Sequence, residues 1–347
     1  LQLANELRAR GHSVLPVVPA GREGWLLDQF RDAGLRWEVY ELRRPIDAGL
    51  PGRMAHMLRA NGIRLVHSHE FVMAVYGQAA CDRARLPHVI TMHGNQDMTK
   101  RFRRRVALRW AFRRSHATVA VSQDTRRHLE SSLGLRSGIV QVIPNGVPSR
   151  AGDRHRVRRE HSIARDELLI LAVGSLTLRK GHSLLIRALA ELHKDDLASW
   201  RLMIAGEGDE YERLGATIET EGLRDRVRLL GPRNDVPDLL AAADVFVMPS
   251  LWEGLPLAVI EAMLAGKPIV ASRTSGIPEA ITHERDGLLV EPGDTHSLAA
   301  ALRRVMSDAD LRLMLGGNAR RRAHSEFTIA AMTDRYEDLY VAVGTRA

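Results

Sequence analysis

The sequence predicts an α/β protein built from two doubly wound, parallel-sheet domains, and three observations carry that prediction. The chain has 347 residues, which at about 100–200 residues per domain suggests two domains. Short apolar runs alternate with helix-period segments along most of it, the pattern of a parallel sheet with crossover helices. The alternation breaks once, at the turn signal Pro144-Asn145-Gly146-Val147-Pro148, and then restarts.

Leu1 to Arg10 reads as a helix, with Leu3, Ala4 and Leu7 on one face and Gly11 as its stop. His12–Val18 reads as the first strand, followed by strands near Trp37–Leu42, Ile63–His67, His88–Met92, Ala117–Ser122 and Val140–Ile143. A doubly wound domain normally opens on a strand and a glycine-rich turn feeding its first helix. Because this chain starts in the helix, the first strand of the N-terminal domain and its phosphate-facing loop are expected to be missing. Arg150 to Arg159 is polar, basic and without periodicity, so residues 1–150 form the first predicted domain and 151–328 the second. Strands of the second are expected near Leu168–Val173, Leu202–Ala205, Val227–Leu230, Val245–Met248, Ile269–Ala271 and Leu288–Val290, and Leu298 to Val343 reads as helical. Ligands in such folds sit at the C-terminal ends of the strands, here facing a cleft between the domains.

Composition narrows the partners. Lys+Arg 50 against Asp+Glu 42 gives a formal charge of +8 and a sequence pI near 10.2. That balance favours an anionic partner: a membrane surface, nucleic acid or a phosphorylated substrate. Cys81 is the only cysteine, which excludes an internal disulfide and fits a reducing compartment. No run approaches the roughly 20 apolar residues that cross a bilayer.

The most informative stretch is Ser250 to Gly266. Pro256 suits the first turn of a helix, and Gly266 before Lys267-Pro268 suits its stop. Between them every residue is apolar or small except Glu261, so the helix is expected to be buried nearly all round. A carboxylate there costs several kcal/mol, roughly, unless something pairs with it. Glu253, eight residues earlier, lies in the loop before the helix N-terminus, where backbone N–H groups favour an anion. A structural alternative pairs Glu261 with a core arginine and leaves Glu253 solvated.

Four further stretches could carry chemistry. Val173-Gly174-Ser175-Leu176-Thr177-Leu178-Arg179-Lys180-Gly181 places two cations at a strand-to-helix junction, where a phosphate between them would relieve their repulsion; a solvated loop is the alternative. Its glycine and hydroxyl spacing excludes a P-loop. Ala205-Gly206-Glu207-Gly208 closes another strand. In the first domain, His67 and His69 alternate along one strand and His93 ends the next. The pair invites a metal reading, but no third ligand follows at useful spacing. Lys100 to Arg114 carries Phe102, Val106 and Trp110 at helical spacing among arginines. That suits either an anionic membrane surface or an amphipathic helix packed by its apolar stripe. Nucleic-acid binding ranks last, because no recognised motif accompanies the charge.

Taken together these motifs resemble the retaining glycosyltransferases of family 4, with the GT-B fold. The most specific part is Glu253 and Glu261, which match the family's paired-glutamate spacing. Ile143-Pro144-Asn145-Gly146-Val147, Arg179-Lys180-Gly181, the Gly206 loop and Asp286-Gly287-Leu288-Leu289-Val290 follow in the family's order. The resemblance implies transfer of a sugar from a nucleotide-diphosphate donor, UDP- or GDP-linked, to a hydroxyl acceptor, without cofactor or metal. It implies that Glu261 binds the donor ribose, Glu253 and His93 the transferred sugar, and Lys180 with Arg179 the diphosphate. Backbone around Gly174, Ser175, Gly206, Gly254 and Leu255 would complete the donor site. Ser175 stands where many members carry Arg. Residues 329–347 would cross back onto the first domain. A lipid-linked or envelope-polysaccharide acceptor, with the basic helix on the inner face of the plasma membrane, follows as the expected setting in the cytoplasm. Two other readings stay open: a sugar-nucleotide epimerase of related fold, and a non-catalytic basic protein that binds membrane or polymer.

Overall fold

The structure is a computed structural model that describes residues 1–21, 25–93, 101–193 and 199–345. Lys100, which opens the predicted basic stretch, lies outside the described residues. The chain divides into two compact units, Leu1–Gly146 with Ile329–Ala347, and Val147–Thr328.

In the first unit, β1 (Val17–Pro19) and β2 (Glu38–Tyr40) form a parallel pair. A second sheet holds β3 (Val66–His69), β4 (His88–Met92), β5 (Ala117–Ala120) and β6 (Gln141–Val142), all parallel and in chain order. β4 is buried along its whole length, as expected for a strand covered on both faces. On one of those faces Val89, Val119 and Ile143 pack against Met332, Tyr336 and Leu339 of the C-terminal helix, Ile329–Gly344. Arg10 ties the first helix to the same element through Asp334 at 2.6 Å and Glu337 at 2.5 Å.

Two predicted strands begin later than the sequence suggests, for one shared reason. The expected His12–Val18 and Ile63–His67 strands are observed as Val17–Pro19 and Val66–His69. In each case the preceding helix ends on a left-handed glycine, Gly11 at φ +92° and Gly62 at φ +63°. The next N–H then closes back on the helix, His12 onto the Leu7 carbonyl and Ile63 onto that of Leu58, both at 3.0 Å. Those residues belong to helix terminators rather than strands. β5 likewise stops before Ser122, whose hydroxyl caps the following helix by accepting from the Thr125 N–H at 3.1 Å.

The second unit contains β7 (Leu168–Val173), β8 (Trp200–Ala205), β9 (Val227–Gly231), β10 (Val245–Met248), β11 (Ile269–Ser272) and β12 (Leu288–Val290). They form one parallel sheet in the order β12-β11-β10-β7-β8-β9, a doubly wound arrangement whose order reverses between β7 and β10. Side chains alternate across it: Leu169 and Leu171 enter one core cluster, Ile170 and Ala172 the other. The stretch Arg150–Arg159, expected to be irregular, contains the helix Arg154–Glu160, capped by Asp153. Its polarity faces inward, since Arg154 and Arg158 reach Asp244 at 2.9 and 3.1 Å.

The helix around Glu261 spans Leu257–Leu264, with Pro256 as its N-cap rather than in its first turn. It ends as expected, with Gly266 at φ +69°. Val259, Ile260, Ala262 and Met263 are fully buried, whereas Leu257 is 47% exposed. The helix is therefore not covered all round. Leu257, Ala258, Glu261 and Ala265 mark one open arc at helical spacing.

The helix Ala309–Glu326 packs on this element through bare backbone. A Cβ at Gly316 would lie 2.3 Å from the Gly266 carbonyl oxygen, whereas one at the adjacent Gly317 meets only Arg321 at 3.7 Å. Gly316→Ala is expected to destabilise the second unit by about 1–3 kcal/mol. Gly317→Ala should be neutral or stabilising by up to about 1 kcal/mol, as for Gly→Ala in a helix interior. Urea denaturation of the two variants checks the contrast, and equal effects would refute it.

Candidate functional site

The loops leaving β7, β8, β10 and β11 are stitched together by backbone. Gly174 donates to the Ala205 carbonyl at 2.9 Å, Leu176 to Glu207 at 2.8 Å, Leu251 to Arg179 at 2.8 Å and Gly276 to Gly254 at 3.0 Å. Glycine makes this approach possible. A Cβ on Gly206, at φ +152°, would fall 1.9 Å from the Gly174 oxygen, and one on Gly181, at φ +67°, 2.1 Å from that of Pro249. The predicted glycines thus bring the loops beside β7 and β10 to the point where the sheet order reverses.

Three predicted charges meet there. Lys180 Nζ lies 2.6 Å from Glu253 Oε1, and Arg179 reaches Oε2 at 2.9 Å. Ser250 donates to Oε1 at 3.0 Å, and the Glu253 N–H donates to Ser275 Oγ at 3.2 Å. Lys180 and Glu253 are only 9% and 8% exposed, so the pair is held out of water and depends on these bonds. Gly174 clears the lysine's path, because a Cβ there would crowd Lys180 Cε at 3.3 Å. Arg179 also stacks over the exposed Trp252 ring at 4.8 Å. Ser175 is exposed on the same loop. The solvated Glu253 of the structural alternative does not occur.

The Glu253 loop runs straight into the N-terminus of the Leu257–Leu264 helix. Among the described residues, neither the Gly254 N–H nor the Leu255 N–H donates a hydrogen bond to protein. Glu261, on the open arc, has no side-chain hydrogen bond or ion pair among the described residues, so the predicted core-arginine partner is not found there. Burial raises its carboxyl above the ordinary glutamate range, and the charge of Arg150 opposes the rise. Two residues after Lys180, His182 is buried beside the backbone of Gly174 and Ser175. Burial, and then Lys180, push its pKa down to about 4, so the ring is neutral.

In the first unit, His93 follows β4 with an exposed side chain. Its Nε2 lies 3.0 Å from His69 Nδ1. The protein around the ring lowers its pKa, while the Glu70 carboxylate and a hydrogen bond to Asn145 work against that fall. His67 is fixed by Tyr340 and Thr91 at 2.7 and 2.8 Å. Among the described residues, no group of three or more His, Cys, Asp or Glu is placed to hold a metal ion.

The basic helix runs Phe102–Arg114 and turns Leu108, Ala111 and Phe112 inward. Phe102, Val106 and Trp110 are 75%, 53% and 38% exposed. The apolar stripe is therefore not the packed face, and the amphipathic-packing alternative does not apply to it. Among the described residues, no helix is long and apolar enough to cross a membrane.

Sequence reading missed Ser250, Ser275, Arg150, His69 and Asn145 as supporting groups. Of these, His69 carried a signal: it ends a strand whose register pairs it with Thr91, two residues before His93. Ser275, which accepts from the Glu253 backbone N–H, and Arg150, whose charge acts on Glu261, are distant in sequence from those residues, and nothing local marks them.

Residues 153–322 match the family model for glycosyl transferases group 1, and residues 1–150 that for Glycosyltransferase Family 4. The chain is 30% identical over 298 residues, 82% of its own length and 77% of the relative's, to the Escherichia coli UDP-Gal:alpha-D-GlcNAc-diphosphoundecaprenol alpha-1,3-galactosyltransferase. It is 38% identical over 201 residues, 58% of its length and 57% of the other's, to the lipopolysaccharide core biosynthesis glycosyltransferase LpsD of Rhizobium meliloti. Its fold matches Anabaena Alr3699/HepE, crystallised with UDP, at a TM-score of 0.85 and 24% identity over 98% of this chain and 94% of that one. A glycosyltransferase from Rickettsia africae superposes at 0.87 with 19% identity, over 99% and 93% of the two chains. On these matches the chain belongs to the family 4, group 1 glycosyltransferases, enzymes of the GT-B fold.

Proposed function

We propose that this glycosyltransferase moves a sugar from a UDP-sugar to a hydroxyl of a lipid-linked or lipopolysaccharide glycan, with retention at the anomeric carbon and without a metal ion. The observation that carries the reading is the Arg179–Lys180–Glu253 cluster beside the open N–H groups of Gly254 and Leu255. It offers two cations and two donors where a diphosphate would gather charge as the anomeric C–O bond breaks. Gly174, Ser175 and Gly206 supply backbone close to the same phosphates. A bound diphosphate competes with Glu253 for the cations and frees its carboxylate to accept from hydroxyls of the transferred sugar. Glu261, which has no hydrogen bond or ion pair among the described residues, accepts from the ribose hydroxyls. His93 is the group that the first unit contributes to the transferred sugar. The anomeric C–O bond to the diphosphate breaks as the acceptor oxygen bonds to that carbon, and the acceptor's proton passes to the departing diphosphate oxygen.

The choice of UDP rests on the solved relatives that hold UDP and UDP-glucose and on the UDP-Gal donor of the Escherichia coli relative. The acceptor class rests on that relative's diphosphoundecaprenol substrate and on LpsD. Retention rests on membership of the family. The exposed Phe102–Val106–Trp110 stripe, set among exposed Arg103, Arg105 and Arg113, suits the anionic inner face of the plasma membrane, where such an acceptor would be presented.

Three measurements test the reading. Turnover of UDP-galactose or UDP-glucose should be unchanged in EDTA and fall about 10²–10³-fold in Lys180→Ala, the usual effect of deleting one charge-stabilising group. Loss of activity in EDTA refutes the metal-free mechanism. Glu261→Gln should weaken UDP binding by about tenfold or more in calorimetry, as expected on losing a hydrogen bond to a charged group. The same variant should gain stability at pH 7 relative to wild type and show little difference near pH 4. The sign follows because a carboxyl whose folded pKa is raised costs stability as pH climbs through that pKa; a wild-type UDP affinity in the variant removes the ribose role. Finally, the protein should sediment with phosphatidylglycerol vesicles at low salt and less at high salt. It should not sediment with phosphatidylcholine vesicles, and Phe102→Asp with Trp110→Asp should abolish binding; equal binding to both lipids contradicts the docking surface.

A further inference from the structure

Three imidazoles form a tier in the first unit. His67 and His69 lie with ring centroids 4.3 Å apart, and His69 stacks on His93 at 5.2 Å. The tier rests on the C-terminal helix. His67 Nδ1 meets the Tyr340 hydroxyl at 2.7 Å and Nε2 meets Thr91 Oγ1 at 2.8 Å, so both ring nitrogens are engaged and the ring cannot turn. Thr91 Oγ1 is itself 3.0 Å from the Tyr336 hydroxyl. The Tyr336 ring also lies against His67, with centroids 5.0 Å apart and the planes tilted by 46°. From this fixed base the arrangement runs outward to His69 Nδ1, 3.0 Å from His93 Nε2.

The backbone is bent to suit. Glu70, immediately after His69, takes φ +66°, a conformation a residue with a Cβ rarely adopts and one that collects at functional sites. It turns the chain sharply from β3 into the helix Glu70–Ala84 and leaves His69 at the strand's end with an exposed side chain. His69 and His93 share one hydrogen bond and therefore one bridging proton. The protein around the ring, followed by the facing His93, lowers the pKa of His69.

We propose that His69 is a positioning residue for the transfer reaction: its Nδ1 pins His93 Nε2 and so sets the plane and tautomer in which the His93 ring meets the transferred sugar. The proposal rests on the assignment of His93 to that sugar, and it makes the C-terminal helix part of the site's framework through Tyr340 and Thr91. Fixing a reacting geometry of this kind is worth more than the bond's own strength, because misplacement by about 1 Å can cost on the order of 10²-fold in rate.

Wild type, His69→Phe, His69→Asn and His93→Ala are compared for UDP release from UDP-galactose and UDP-glucose, with thermal melting as the folding check. Phenylalanine keeps the stacked ring and removes the nitrogen. Asparagine removes the ring and keeps a polar atom where Nδ1 stood. His69→Phe is expected to lose about 10–100-fold in kcat with donor KM unchanged, and His69→Asn to stay within about fivefold of wild type. Full activity in His69→Phe, or an equal loss in both variants, overturns the positioning role. Unchanged kcat in His93→Ala instead removes the assignment on which the proposal rests. Imidazole 15N NMR reads the bond without turnover: His93 should hold one tautomer in wild type and a mixture in His69→Phe. The same tautomer ratio in both proteins would also overturn it.

Discussion

The second unit is organised around one ion pair held out of water. Lys180 and Glu253 meet at 2.6 Å with almost no exposure. Separated, each would face a desolvation cost of several kcal/mol, roughly. Keeping them together requires two loops from neighbouring strands to approach at backbone distance, which Gly181 against Pro249 permits. It also requires a path for the lysine stem, which Gly174 leaves open. Ser250 and the second cation Arg179 complete the carboxylate's bonding. The same demands that hold the pair also build the most cationic part of the site at the reversal of strand order, where doubly wound folds bind their ligands.

That arrangement shows why a stable unliganded site and a reactive one can share the same residues. The cations that a diphosphate would need are both paired with Glu253 beforehand, which cuts their combined charge from two to one. Glu261 has no such protection. It remains on the open arc of an otherwise apolar helix, its carboxyl raised by burial and without a protein partner among the described residues. A group left in that condition costs stability, and binding chemistry gives a physical reason for its presence.

Much of this was legible from residue order. Strand and helix alternation, the turn at Pro144–Pro148 and the glycine-flanked loops are local signals, and local signals survive without a fold. Glu261 stood out because one charge in an apolar helix is costly anywhere. Strand starts at His12 and Ile63 were misplaced because a helix-terminating glycine uses the next residue's N–H, a competition that hydrophobic pattern does not show. Arg154 and Arg158 fell in a stretch read only as polar, basic and without periodicity, because their partner, Asp244, is distant in sequence. The apolar stripe at Phe102, Val106 and Trp110 was visible, but helical spacing alone could not say which face the core would take; Leu108 and Phe112 took it.

By itself, then, the sequence determined the α/β class, the paired glutamates, the two cations before Gly181 and the histidine after β4. Each of these follows from spacing along one chain segment. Tertiary structure alone decided that Lys180 and Arg179 grip Glu253, that Glu261 has no hydrogen bond or ion pair among the described residues, and that His93 leans on His69 above a ring locked by Tyr340. Those facts depend on which loops a parallel sheet brings side by side, and a crossover connection separates such neighbours by whole helices in the sequence.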